Sequence, residues 1–518
     1  MSVPSLSFAF AISSWLLVSQ YHFEVVEMNE DQTGSKRRIV RRRSSGPQKK
    51  EGNGGAAAEQ SRLPGWRERS GYLSSRGVKA QQPILSYFGM FIDALGNLAS
   101  ASNPNGKIPF CVAENKLTQE RLSARFLEAA KVAFPQHEAW EYNDMTGLAN
   151  MKGAVARLWN RKVCGGSELV RETDVVCGAG AAAVLNNTFT CACEVGEAVL
   201  IPAPYYAAFE NDMEVLSGLR PVRVAVADVV RGATTEEWEA AWAGANAAGL
   251  QVGAILITNP NNPVGVCYTK KVIEEALSWA RSHSLFIIVD EIYALSMHGV
   301  DGEKFTSVVE IERGLISTDL AVIWAMSKDF GGSGLRAGVL MTGNQKLKQS
   351  MSNISVFTGV SHPMQLMIAD VLGDEKWVDD YLAYSNKQLR HCYEIVTRTL
   401  DEIDVPYIKA CAGMFVWADF SSLLPEDSWE GEEGFTAVCY EEGGFVMTPG
   451  QAQRADRPGW FRICIGWNSV EVLQVGMDRL ASVCEGIRGR GWVDLEVEER
   501  EDVTPSGVRR RGSSFIGD

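Results

Sequence analysis

Two short apolar runs, Ala254–Thr258 (AILIT) and Leu285–Val289 (LFIIV), flank a segment of helical periodicity, and that order restricts the fold more than any other feature. Continuous apolar runs of this length suit strands buried on both faces. Between them Thr269 stands as a helix N-cap, and Ile273, Ala276, Leu277 and Ala280 fall on one helical face. Strand, helix and strand in succession make a βαβ unit, which requires parallel strands. Further runs at Val175–Cys177 and Ala198–Ile201, with a helix expected from the Gly178–Ala183 turn to Cys193, extend the alternation. The expected class is α/β, with a large doubly wound, mostly parallel sheet and a smaller α+β domain.

Each expected strand ends in residues that carry chemistry. In Ala325–Arg336 (AMSKDFGGSGLR) a lysine follows a strand and precedes a glycine-rich turn and an arginine. A lysine amine in a desolvated or electropositive pocket is a Schiff-base nucleophile, and an arginine fork grips phosphate in bidentate fashion. Asp290 and Tyr293 follow the LFIIV strand, at the sheet edge where open α/β sheets bind ligands. Two Asn-Pro steps, at Asn259 and Asn262, force extended or turn backbone after AILIT. Ala181 and Ala182 open a helix whose free N–H groups suit an anion, and Tyr205 and Tyr206 place aromatic rings at a strand end. Singly, these read equally as a polar turn, a turn cap, a β–α loop, an alanine-rich helix start and core aromatics. Together they supply every contact that pyridoxal phosphate needs.

The same residues carry a resemblance. The chain is similar to fold-type I pyridoxal-phosphate enzymes of the class I/II aminotransferase superfamily, and within it most resembles 1-aminocyclopropane-1-carboxylate (ACC) synthases and their ACC-synthase-like relatives. The likeness runs from Ile84 to Ile487 through NPNG (Asn103–Gly106), AENKL (Ala113–Leu117), PAPYYAAF (Pro202–Phe209), TNPNNPVG, DEIYA, SKDFGGSGLRAG and PGWFRICI (Pro458–Ile465). It implies that Lys328 carries the cofactor as a Schiff base and is the acid/base at Cα. It implies Asp290 for the ring nitrogen, Asn262 and Tyr293 for the phenolic oxygen, and Tyr206 for stacking. Arg336, Ser327 and the backbone of Ala181 and Ala182 are implied for the phosphate, Arg462 for the substrate carboxylate, and Glu114 for the substrate's amino or sulfonium end. Read without the family, Arg462 is a lone charge on a possible strand, and Glu114 equally a salt-bridging residue on an arm.

Three hydroxyls of the family pattern are missing, at Ala325, Met145 and Ala182. They leave cofactor binding intact through Arg336, Lys328 and the helix start, but they weigh against ACC synthesis from S-adenosylmethionine. Retained Glu114 and PGWFR weigh for it. The expectation is an enzyme acting at Cα of an α-amino acid, transamination first, ACC synthesis or C–S lysis as alternatives. A non-catalytic binding protein on the same fold is the reading from another class.

At 518 residues and 46% hydrophobic the chain can bury more than one core, and a net charge of −14 discourages nucleic-acid binding. The eleven cysteines are scattered; Cys191-Ala192-Cys193 has no companion ligands, so no metal site is expected. The expected domains are a disordered extension (1–80), an arm with part of the small domain (81–140), the large cofactor domain (141–360), an interdomain helix and small domain (361–488), and a flexible tail (489–518). Phe8–Val18 is apolar but lacks a basic flank and is short for a membrane span, so the cytoplasm is expected, with a secretory or plastid leader as the alternative. Arg41–Ser45 and Arg509–Ser513 resemble basophilic-kinase sites, and solvated tail charge is their plainer reading. A homodimer with active sites at its interface is implied by the resemblance alone.

Overall fold

The computed structural model describes residues 71–81, 85–299, 304–490 and 492. The Phe8–Val18 run, both arginine-rich sites and the tail beyond 492 lie outside them. The described residues 71–81 belong to a unit separate from the rest. Within it a short helix, Ser75–Lys79, is capped by Ser74 Oγ accepting from Gly77 N at 3.1 Å. A serine N-cap of this kind satisfies one of the first-turn N–H groups.

In the second unit seven strands form one sheet. They are β1 (Val175–Gly178), β2 (Ala198–Pro202), β3 (Arg220–Val224), β4 (Val252–Thr258), β5 (Phe286–Asp290), β6 (Leu320–Ala325) and β7 (Gly338–Met341), in the order β1-β7-β6-β5-β4-β2-β3. β7 runs antiparallel to both neighbours and the other pairs are parallel. The period-2 alternation of a strand splits each apolar run between two cores. Ile287 and Val289 join one core with Val322 and Trp324, whereas Ile288 joins the other with Leu256 and Ile323. Burial on both faces explains why these strands read as unbroken apolar runs. Between β4 and β5, helix α1 (Lys270–Ser282) starts where Thr269 Oγ1 accepts from Val272 N, and it buries Ile273, Ala276, Leu277 and Ala280. Loss of that cap would cost about 1 kcal/mol.

A second, antiparallel sheet joins β8 (Tyr407–Ile408), β9 (Phe415–Asp419), β10 (Thr448–Pro449) and β11 (Trp460–Cys464) in the order β10-β11-β9-β8. The long helix α2 (Glu375–Glu402) belongs to both domains: Val378, Tyr381 and Leu382 join the large core, while Leu389, Val396 and Leu400 join the small one. Packing therefore does not divide at the boundaries of 140 and 360 drawn from sequence. Leu122, in helix Gln119–Ala133, and Ile368, in helix His362–Gly373, are both buried in the large core. The chain enters through the small domain, where Ile108–Pro109 pairs in parallel with Phe445–Val446. Residues 113–116 then cross towards the large sheet, pinned by Lys116 N donating to Gly466 O at 2.7 Å.

Candidate active site

β5 is the central strand, and its last residue, Asp290, pairs in register with Thr258, the last of β4. Lys328 lies on a one-turn helix, Met326–Asp329, that starts directly after β6. These strand ends open on a cavity of about 170 Å³. Ala181, Ala182, Tyr206, Asn262, Asp290, Tyr293, Ser327, Lys328 and Arg336 all line it. Of the residues singled out from sequence, Arg462 and Glu114 stand one contact away: Arg462 Nη1 donates to Asn262 Oδ1 at 2.9 Å, and Glu114 accepts from the cavity-lining Ser333.

Burial sets the electrostatics. It lowers the Lys328 amine to about 8, helped by the Arg462 charge, and Lys328 Nζ donates to Ala113 O at 2.6 Å. Burial raises Asp290 to about 7, against the smaller opposing effects of the Ile292 N–H and Lys328. Asp290 Oδ1 accepts that N–H at 3.2 Å. The neighbouring acids are used differently. Glu291, raised by burial to about 8, accepts from Ser307 Oγ at 2.6 Å and Val308 N at 2.7 Å. Asp329, raised to about 7 for the same reason, accepts from Ser296 Oγ, Trp324 Nε1 and Leu295 N at 2.6, 2.8 and 3.1 Å.

Two arginines mark anion positions. Arg462 is buried on β11; its Nη2 donates to Cys111 O at 2.8 Å and Thr448 Oγ1 at 3.2 Å, and its Nε has no partner. No carboxylate of the described residues pairs with it, and a buried charge without a counter-ion is expensive unless an anionic ligand supplies one. Arg336 donates to Ser333 O at 2.9 Å and Ala179 O at 3.2 Å, beside the start of helix Ala181–Ala192. Gly180, at φ +90, makes that approach possible, since a Cβ there would stand 2.4 Å from Arg336 Nη2. Guanidinium and free helix N–H groups thus lie together, a donor set that suits an anion.

This donor set fits pyridoxal phosphate: an amine with a depressed pKa, a buried carboxylate opening on the same cavity, an anion cradle at a helix start, and the orphaned Thr258 hydroxyl inside. Tyr206, about a third exposed, sets its ring edge-on to Phe209 at the cavity, whereas Tyr205 is buried and donates to Glu210 at 2.8 Å. Sequence reasoning missed Asp212, Thr258 and Ser333, which also line the cavity. Asp212, raised by burial to about 6, shares a helical face with Phe209, and that spacing was the available signal.

The family model for aminotransferase class I and II matches residues 105–480. ACC synthase-like protein 1 of Bos taurus is 32% identical over 432 residues, covering 80% of this chain and 84% of the relative. ACC synthase 6 of Oryza sativa subsp. japonica is 29% identical over 433 residues, 80% and 79% of the two chains. Among solved structures, aspartate aminotransferase from Rhizobium meliloti has a TM-score of 0.67 at 20% identity, covering 80% of this chain and 98% of that one. That from Thermus thermophilus with maleate gives 0.65 at 21%, covering 79% and 99%. The chain belongs to the pyridoxal-phosphate-dependent aminotransferase class I and II family and has its fold-type I architecture. It is related both to ACC synthases and to the synthase-like proteins.

Proposed function

We propose that this chain acts at Cα of an α-amino acid, with pyridoxal phosphate as cofactor and transamination as its principal activity. The observation that carries the reading is Arg462, a buried guanidinium without a carboxylate partner among the described residues, bonded through Asn262 to the cavity that holds Lys328. A planar fork of this kind orients an amino acid by its carboxylate. Bound in the cavity, pyridoxal phosphate supplies an aldehyde for the Lys328 amine and a ring that takes up the electron pair left at Cα.

The chain's own residues do the rest. Arg336, Ser327 and the N–H groups of Ala181 and Ala182 would hold the phosphate, Asn262 and Tyr293 would orient the ring's oxygen, and Tyr206 would cover its face. Asp290 would keep the proton on the ring nitrogen. Lys328, with an amine near 8, is partly neutral close to pH 7 and moves the proton at Cα. Lys328 would also return that proton, and the atom it is returned to would decide between transamination and the other outcomes. Family membership also supports a homodimer, which sedimentation of the purified chain would test.

ACC synthesis is the second reading, favoured by Glu114, whose carboxylate reaches the cavity through Ser333. Purified protein given amino acids and 2-oxoglutarate should release glutamate. Given S-adenosylmethionine it should form no ACC or methylthioadenosine; their appearance without glutamate release would reverse the order. A visible absorbance band that fails to shift with any amino acid would favour the non-catalytic binding reading.

A further inference from the structure

The seam between the two domains carries a pair of thiols that the proposed activity does not use. Cys267 lies five residues after Asn262, and Cys411 four residues before β9 begins at Phe415. Main-chain bonds fix their approach. The N–H groups of Cys411 and Ala412 both donate to Gly265 O, at 2.9 and 3.0 Å, and those of His298 and Gly299 both donate to Cys411 O at 2.9 Å. Gly265, at φ +77, has no room for a side chain, since a Cβ would stand 2.6 Å from that of Ala410. With the backbone so held, Cys411 Sγ lies 3.6 Å from Cys267 Sγ, which is itself 3.8 Å from Met297 Sδ. Cys411 is buried, whereas Cys267 keeps part of its surface in solvent.

We propose that Cys267 and Cys411 are a redox modification site, which a hydroperoxide converts to a reversible interdomain disulfide. With hydrogen peroxide, the Cys267 thiolate attacks one oxygen and the O–O bond breaks, giving a sulfenic acid and releasing water as the second oxygen takes up a proton. The Cys411 thiol then attacks the sulfenic sulfur; the S–S bond forms and the hydroxyl leaves with the thiol proton as a second water. Two thiols lose two electrons and two protons, and one peroxide is reduced. The sulfurs must close by about 1.5 Å to reach bonding distance, a shift that side-chain rotation can supply. Other cysteines are poorer candidates for the first step: Cys111, Cys464, Cys439 and Cys484 are buried, out of reach of a peroxide in solvent.

The cross-link would tie the Asn262 loop to the segment leading into β9, whose Trp417 pairs with Arg462 of β11. It therefore limits how far Asn262 and Arg462 can part, and its chemistry is independent of whether the chain transaminates. The test uses the full chain, reduced and then titrated with hydrogen peroxide, alkylated with N-ethylmaleimide and digested without reductant. Mass spectrometry should find a Cys267–Cys411 peptide two hydrogens lighter than its parts, lost on dithiothreitol and absent from Cys267→Ser. In Cys411→Ser, dimedone should trap a sulfenic acid at Cys267, which the unmodified chain passes on to the disulfide. Hydrogen exchange at the amides of Cys411 and Ala412 should slow on oxidation and recover on reduction. The proposal is overturned if both cysteines stay separately alkylated, if Cys267 proceeds to sulfinic acid without a linked peptide, or if it couples to another cysteine.

Discussion

The cavity floor and the core directly behind it use adjacent ionisable residues to opposite ends. Asp290 and Lys328 open on the cavity, and each makes a single hydrogen bond to main chain there. One position along, Glu291 and Asp329 face away and are fully engaged by hydroxyl, indole and backbone donors. Asp290 on the floor and Glu291 and Asp329 behind it are all buried and raised in pKa, so burial alone does not mark a chemical role. What distinguishes the regions is unspent hydrogen-bonding capacity directed at a cavity.

Replacing Lys328 by Ala should break the comparison most visibly, lowering turnover by about 10³-fold or more while the melting temperature stays near that of the parent. If Asp329→Asn at equal cofactor occupancy lost as much, the division between floor and core would fail. Next in size, Arg462→Lys should raise KM for the amino acid by roughly one to two orders of magnitude with a smaller change in kcat, measured by steady-state kinetics, because the planar fork is lost. Glu291→Gln and Asp329→Asn should each cost about 1–3 kcal/mol in denaturant unfolding, with the cofactor's absorbance unchanged, since each weakens a buried and satisfied network.

A further expectation concerns pH and the cofactor-free protein. Asp290 titrates near 3.8 when unfolded and near 7 in the fold, so between these values the folded state binds the extra proton. Stability therefore falls as pH rises through that window, by at most about 1.4 kcal/mol per pH unit for one such group. Asp290→Asn should flatten that part of the unfolding profile measured from pH 4 to 7. A profile that stayed as steep would mean that Glu291 and Asp329 carry the whole slope, which would sharpen the comparison in the other direction.

Much of the floor was legible in the sequence because strand ends are local facts. An apolar run stopping at Asp290, or at Ala325 ahead of Lys328, states where a strand ends, and in a parallel sheet the C-terminal ends are where ligands bind. Arg462 was harder: on its own it is one charge in a strand, and only the family's motif separated it from a surface residue. Glu114 was legible as an acid on an arm, but not as the partner of Ser333. Asp212 was missed although its spacing from Phe209 was visible, because a shared helical face does not say that it borders a cavity, and nothing at the end of an apolar strand says that the Thr258 hydroxyl will stay unpaired.

By itself the sequence determined the α/β class, the parallel order of the central strands and the residues at their ends, since periodicity and strand termini act over a few neighbouring positions. Tertiary structure alone decided that Arg462 meets Asn262, that Ala113 holds the Lys328 amine, and that Cys267 faces Cys411. Those contacts join positions more than a hundred residues apart. The physical reason is that two cores, packed against one long shared helix, set the distance between the domains, and no local pattern encodes that distance.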